Sequence, residues 1–179
     1  MSVTAPSVMQ PPTISGAAGS LLTSTRLYCA LLLVVLCTTI RPAIAADNLG
    51  LASGLSFTDD SSGNFPIVGD HLDDGEVARG RAALVFVGAS HCWNTNREAE
   101  RVVELYPRFR DRVHFVIIDA DHPSAAQRPL LDAHYHGMIP TVVVLDPNGA
   151  VVYERAGETA STRADTRTLE TLLGKAAGN

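Results

Sequence analysis

The residues with chemistry at hand stand together at Ser90-His91-Cys92-Trp93-Asn94-Thr95. A thiol attacks a disulfide, or holds a soft metal, as its thiolate. A cysteine where a strand hands over to a helix meets unpaired backbone N–H groups and the positive end of the helix dipole, and both favour that thiolate. His91, when protonated, adds to the same effect. Thr95 has two readings: its hydroxyl donates to the thiolate, or Thr95-x-x-Glu98 is a capping box that begins the helix. Trp93 follows the thiol directly, and an aromatic beside a reactive atom suits contact with a peptide or protein. Set against all this, a lone cysteine also serves as a small core hydrophobe, so position alone leaves the thiol's role open.

The surrounding elements must place that thiol. Leu84-Val85-Phe86-Val87 ahead of Gly88-Ala89-Ser90 predicts a strand buried on both faces. Arg97 to Phe109 sets Val102, Leu105, Tyr106 and Phe109 at helical spacing, with Glu98, Glu100, Arg101, Glu104 and Arg108 expected mostly on the surface. Val113 to Ile118 is a second buried strand, and strand, helix, strand in this order implies a parallel crossover. A helix is expected over roughly Ala125 to Tyr135, with Leu130, Leu131 and Ala133 inward. Thr141 to Leu145 and Ala150 to Glu154 read as a hairpin about the turn Asp146-Pro147-Asn148-Gly149. Thr166 to Lys175 closes the chain as a helix with Leu169, Leu172 and Leu173 inward.

Ahead of the central strand the readings are sparser. Residues 46–64, rich in Gly, Ser, Asp and Asn, read as a flexible lead-in. Phe65-Pro66-Ile67-Val68 is expected as a short edge strand and Leu72 to Arg79 as the site of a first helix.

The 179 residues hold one domain plus an extension. Leu27 to Ile40 is a run of 14 uncharged, mostly apolar residues after Arg26, and Ala43-Ile44-Ala45 supplies small residues for cleavage. The division expected is a secretory signal over 1–45, the lead-in over 46–64 and a folded domain over 65–179. The apolar run falls short of the roughly 20 residues that cross a bilayer. The expected location is therefore the periplasm or the exterior, or a membrane anchor if the signal is retained. Cleavage removes Cys29 and Cys37 and leaves Cys92 as the one thiol, so an internal disulfide is excluded. The net charge of −5 becomes more negative once Arg26 and Arg41 leave with the signal, which argues against binding nucleic acid or an anionic membrane surface.

A cysteine after the first central strand, Ile118-Asp119-Ala120-Asp121 after the second, Met138-Ile139-Pro140-Thr141 before the third, the turn around Asn148-Gly149 and Gly157 beyond the last strand together resemble the thioredoxin family, from about Phe65 to Lys175. The resemblance implies an α/β, thioredoxin-like fold, a central mixed β-sheet flanked by helices on both faces. It also implies a cis proline at Pro140 beside the thiol, with Ile139 supplying backbone groups that pair with an extended substrate. Two departures are plain. Thr95 stands where the family has its resolving cysteine, and Phe86 where it carries a buried acid. Cys92 can attack a disulfide, yet no second internal thiol expels the substrate from the mixed disulfide. The reading is thus a single-cysteine thiol–disulfide oxidoreductase with catalytic Cys92, Thr95 and His91 and substrate-binding Trp93, Ile139 and Pro140. It needs no cofactor and takes a protein or small-molecule disulfide as substrate, an external thiol as reductant, and a disulfide-linked homodimer through Cys92 as one resting form. Two alternatives stand beside it: a redox-inactive binding module that uses the groove at Pro140, and a copper-binding or delivery protein using His91, Cys92 and one of His122, His134 or His136.

Overall fold

The computed structural model describes residues 44–163 and 165–178, and the expected signal, with Cys29 and Cys37, lies outside the described residues except for Ile44 and Ala45. In chain order the elements are β1 (Asp47–Leu51), β2 (Ile67–Asp70), β3 (Ala82–Gly88), α1 (Trp93–Phe109), β4 (Val113–Asp119), α2 (Arg128–His134), β5 (Thr141–Leu145), β6 (Val151–Ala156) and α3 (Thr166–Ala176). The main sheet has the order β4-β3-β5-β6. β3 runs parallel to β4 and antiparallel to β5, and β5 pairs antiparallel with β6.

Every residue of β3 is buried, because the strand has neighbours on both edges and cover on both faces. The two-residue period of a strand divides its side chains between two cores. Ala82, Leu84 and Phe86 join Phe115, Ile117, Val142 and Val144 beneath α1 and α3, through Val102, Leu105, Leu169 and Leu173. Ala83, Val85 and Val87 join Val116, Ile118, Val143 and Leu145 against Val77 and against Leu130 and Leu131 of α2. The fold is α/β and thioredoxin-like, a central mixed sheet with helices on both faces.

Several local expectations are corrected. Residues 46–64, expected as a flexible lead-in without a sustained period, contain a strand: β1 pairs antiparallel with β2 in a second, two-stranded sheet, with Gly50 opposite Val68 and Leu51 opposite Ile67. Leu49 is buried in the α1-side core with Leu51 packed against it, an alternation hidden within a polar average composition. The edge strand expected at 65–68 thus starts at Ile67 and pairs with β1, outside the main sheet. No helix forms over 72–79. Gln127 Nε2 donates to the carbonyls of Leu72 and Asp74, which a helix would need for itself. Gly75 packs so tightly that a Cβ there would lie 2.3 Å from the Ala126 carbonyl oxygen. α2 begins only at Arg128, because Ser124 and Gln127 bond each other's backbone N–H groups and hold the approach as turns. Ala133 is exposed, while Leu130 and Leu131 are half-buried.

Candidate thiol site

Strand register decides which residues meet. Val87 pairs with Thr141 and Gly88 with Asp119, so the start of α1, the Ile139-Pro140 segment and the turn after β4 share one end of the sheet. The Ile139–Pro140 peptide bond is cis. Pro140 is buried, Ile139 half-buried and Met138 54% exposed. The Pro140 carbonyl accepts from the N–H of Gly157 at 2.8 Å, which ties the loop after β6 to the same end.

Cys92 is the N-cap of α1, with extended backbone, a half-buried free thiol and a carbonyl that accepts from the N–H of Asn96 at 3.1 Å. Its side chain makes no capping bond. The helix therefore begins two residues before Thr95, and the capping-box reading of Thr95-x-x-Glu98 is overturned. The N–H of Trp93 is instead taken by Asp60 Oδ1 at 2.9 Å, a residue of the loop between β1 and β2. That loop is fixed by further bonds: His91 N–H to Ser62 O, Asn96 Nδ2 to Ser56 O and Ser62 Oγ, and Arg97 to Phe57 O.

The other expected site residues divide by environment. His91 adopts φ +55, left-handed for a residue with a Cβ, with its side chain exposed. Thr95 is fully buried. Its methyl group abuts Gly88, where an added Cβ would come within 2.4 Å of it, and its hydroxyl has no hydrogen-bond partner. No bond joins that hydroxyl to Cys92 Sγ. Trp93 is half-buried, with the Arg97 guanidinium 3.9 Å from its ring centre and that of Arg163 at 6.0 Å. Phe86 is fully buried and packs at a tilt on Phe65.

Behind the first two turns of α1 lies an ion cluster. Glu98 and Arg101, expected on the surface, are buried there. Glu98 pairs with Arg101 and Arg155, and Glu158 with Arg97, Arg101 and Arg163. Burial alone would raise the Glu158 carboxyl, but the hydrogen bonds and charges of Arg97 and Arg101 outweigh it and hold the group below the usual carboxylate range. The cluster fixes Arg97 and, through it, the Trp93 ring.

Sequence reasoning missed Asp60, Ser62, Asn96 and Glu158. Asp60 and Ser62 sat in a stretch read by composition, although Ser56, Asp59, Asp60, Ser61 and Ser62 are the residue types that build hydrogen-bonded turns. Glu158 meets Arg97 across 61 positions of sequence, a pairing no local pattern signals. The copper ligand set does not assemble: His122 pairs with Asp119 and His134 with Glu154. Among the described residues no three His, Cys, Asp or Glu side chains are placed to hold a metal ion. Among the same residues no helix is long and apolar enough to cross a membrane.

No protein-family model matches the chain, and no curated protein sequence does. Among solved structures it is similar to thioredoxin-2 of the malaria parasite, described as a component of protein secretion machinery, at 15% identity and TM-score 0.45 over 56% of this chain and 88% of that one. It is similar also to oxidized thioredoxin O2 of Arabidopsis thaliana, at 16% identity and TM-score 0.41 over 54% of this chain and 75% of that one. Mitochondrial thioredoxin 3 of Saccharomyces cerevisiae gives 17% identity and TM-score 0.40 over 54% of this chain and 79% of that one.

Proposed function

We propose that this chain is a single-cysteine thiol–disulfide exchange protein of the cell envelope. The observation that carries the reading is the Thr95 hydroxyl, fully buried without a partner and one helical turn beyond Cys92. Residues three apart share a helix face, and an orphaned buried hydroxyl costs stability unless something else uses it. The hydroxyl makes no bond to Cys92 as the thiol stands, and we assign the thiolate formed on ionisation as its missing acceptor, in a bond that is charge-assisted.

In the exchange, the Cys92 thiolate attacks one sulfur of a disulfide. A bond forms between Cys92 and that sulfur while the second sulfur leaves as a thiolate and takes its proton from solvent. Because Thr95 carries no thiol, an external thiol then attacks the substrate sulfur of the mixed disulfide and restores the Cys92 thiolate. The substrate leaves as a new disulfide with that external thiol, so oxidation state is conserved. Trp93, pinned under Arg97, and the Ile139-Pro140 segment flank the thiol as the surface a protein or small-molecule disulfide meets. Export with cleavage after Ala45 belongs to the same proposal and rests on Arg26, the Leu27 to Ile40 run and Ala43-Ile44-Ala45.

The test is intact mass after reduced protein is mixed with cystamine. One cysteamine adduct on Cys92, removed by added thiol and absent in C92S, is the expected result. A Cys92 that forms no adduct where free cysteine does so overturns the proposal.

A further inference from the structure

We propose that Asp60 sets the charge selectivity of the Cys92 site, favouring neutral and cationic disulfides over anionic ones such as glutathione disulfide. The inference rests on the reading of Cys92 as an exchange nucleophile and names the substrate class that nucleophile accepts.

The backbone N–H groups at the start of a helix attract negative charge. In this chain the N–H next to the thiol, that of Trp93, is already engaged by the Asp60 carboxylate at 2.9 Å. The carboxylate does not swing free. Its loop is held to the first turn of α1 at His91, Asn96 and Arg97, through Ser62, Ser56 and Phe57. Asp60 is also exposed, so its charge faces whatever approaches Cys92.

The groups around it strengthen the effect. Asp59 adjoins it on the loop, and at the same end of the sheet Asp119 ends β4 and Asp121 follows it. Arg97 and Arg163, the nearby guanidiniums, share the Glu158 carboxylate with Arg101 behind the helix, whereas the Asp60 carboxylate is the charge held at the helix N-terminus itself. His122 is paired with Asp119, and the exposed His91 adjoins Cys92 in the chain. An incoming glutathione disulfide brings net negative charge to this rim, whereas a cystamine or a basic peptide disulfide brings positive charge.

The experiment compares alkylation of Cys92 in the full chain by iodoacetamide, which is neutral, and iodoacetate, which is anionic. Their rate ratio cancels any change in the amount of thiolate. D60N keeps a side-chain oxygen to accept from Trp93 N–H and removes only the charge. The expected result is a fall of about three- to tenfold in the iodoacetamide-to-iodoacetate ratio, the effect of one charge a few ångströms away in water, with D60E retaining the wild-type ratio. An unchanged ratio in D60N, or an equal fall in D60E, overturns the inference. Alkylation requires no disulfide, so this outcome is separate from the cystamine test: a protein that forms no cystamine adduct but shows the ratio change keeps the selectivity and loses the exchange function.

Discussion

Replacing Thr95 by valine produces opposite effects on stability and on reactivity. The two side chains have nearly the same shape, so the core that Thr95 shares with Gly88 stays filled. What disappears is a hydroxyl buried without a partner. Relief of that desolvation cost stabilises the reduced protein by about 1 kcal/mol. With a urea dependence of about 2 kcal/mol per molar, the unfolding midpoint rises by about 0.5 M. At the thiol, T95V removes the donor that the proposal assigns to the ionised Cys92, and losing a charge-assisted bond of about 1.5 kcal/mol formed on ionisation lowers the thiolate population about tenfold. A less stabilised thiolate is intrinsically more nucleophilic, and this recovers about threefold. Alkylation by iodoacetamide at pH 7 therefore slows by about threefold, while T95S keeps close to the wild-type rate. Urea titrations and alkylation time courses on wild type, T95V and T95S supply both numbers. A T95V protein less stable than wild type shows that the hydroxyl is paired in the folded state, and unchanged alkylation shows that it does not serve the thiolate; either result refutes the reasoning.

Other perturbations test the scaffold around the site. His114 is buried, accepts from the N–H of Ala78 and leaves Nε2 without a partner. Burial, helped by Arg81 and opposed by Asp74, depresses its pKa below the ordinary value of about 6.5. The folded state thus binds fewer protons than the unfolded one as pH falls below that value. Its contribution is complete above about pH 6.5 and is lost progressively on acidification. Unfolding free energies measured from pH 7.5 to 5 should decline, and H114N, which keeps an acceptor for Ala78, should flatten the decline. E98Q leaves Arg101 and Arg155 without their shared carboxylate in a buried setting, and equilibrium unfolding should show a loss of about 3 kcal/mol; a loss below about 1 kcal/mol would mean that solvent reaches the cluster. G88A presses a new methyl against that of Thr95 and should destabilise by about 1–3 kcal/mol, with T95S in the same chain restoring much of it. Finally, the exported protein should begin at Ala46, as intact mass would show.

The sequence by itself determined the main sheet and the place of the thiol. Apolar runs such as Leu84–Val87 and Thr141–Leu145 are buried from both sides and leave no other placement, and Cys92 follows the first of them by a few residues. Met138-Ile139-Pro140-Thr141 and the turn at Asn148-Gly149 act within a few positions and were legible for the same reason. The environment of the thiol was decided only in three dimensions. Asp60 reaches Trp93 from 33 residues away, Glu158 reaches Arg97 from 61, and Gln127 takes the carbonyls that would have made a helix at 72–79. Periodicity reports which face of an element is apolar, and capping patterns report only local partners. A buried carboxylate, by contrast, is satisfied by whichever cation the folded chain brings beside it, and a helix N-terminus by whichever acceptor arrives there. Those pairings exist only once the sheet has set the register that carries distant segments to the same end.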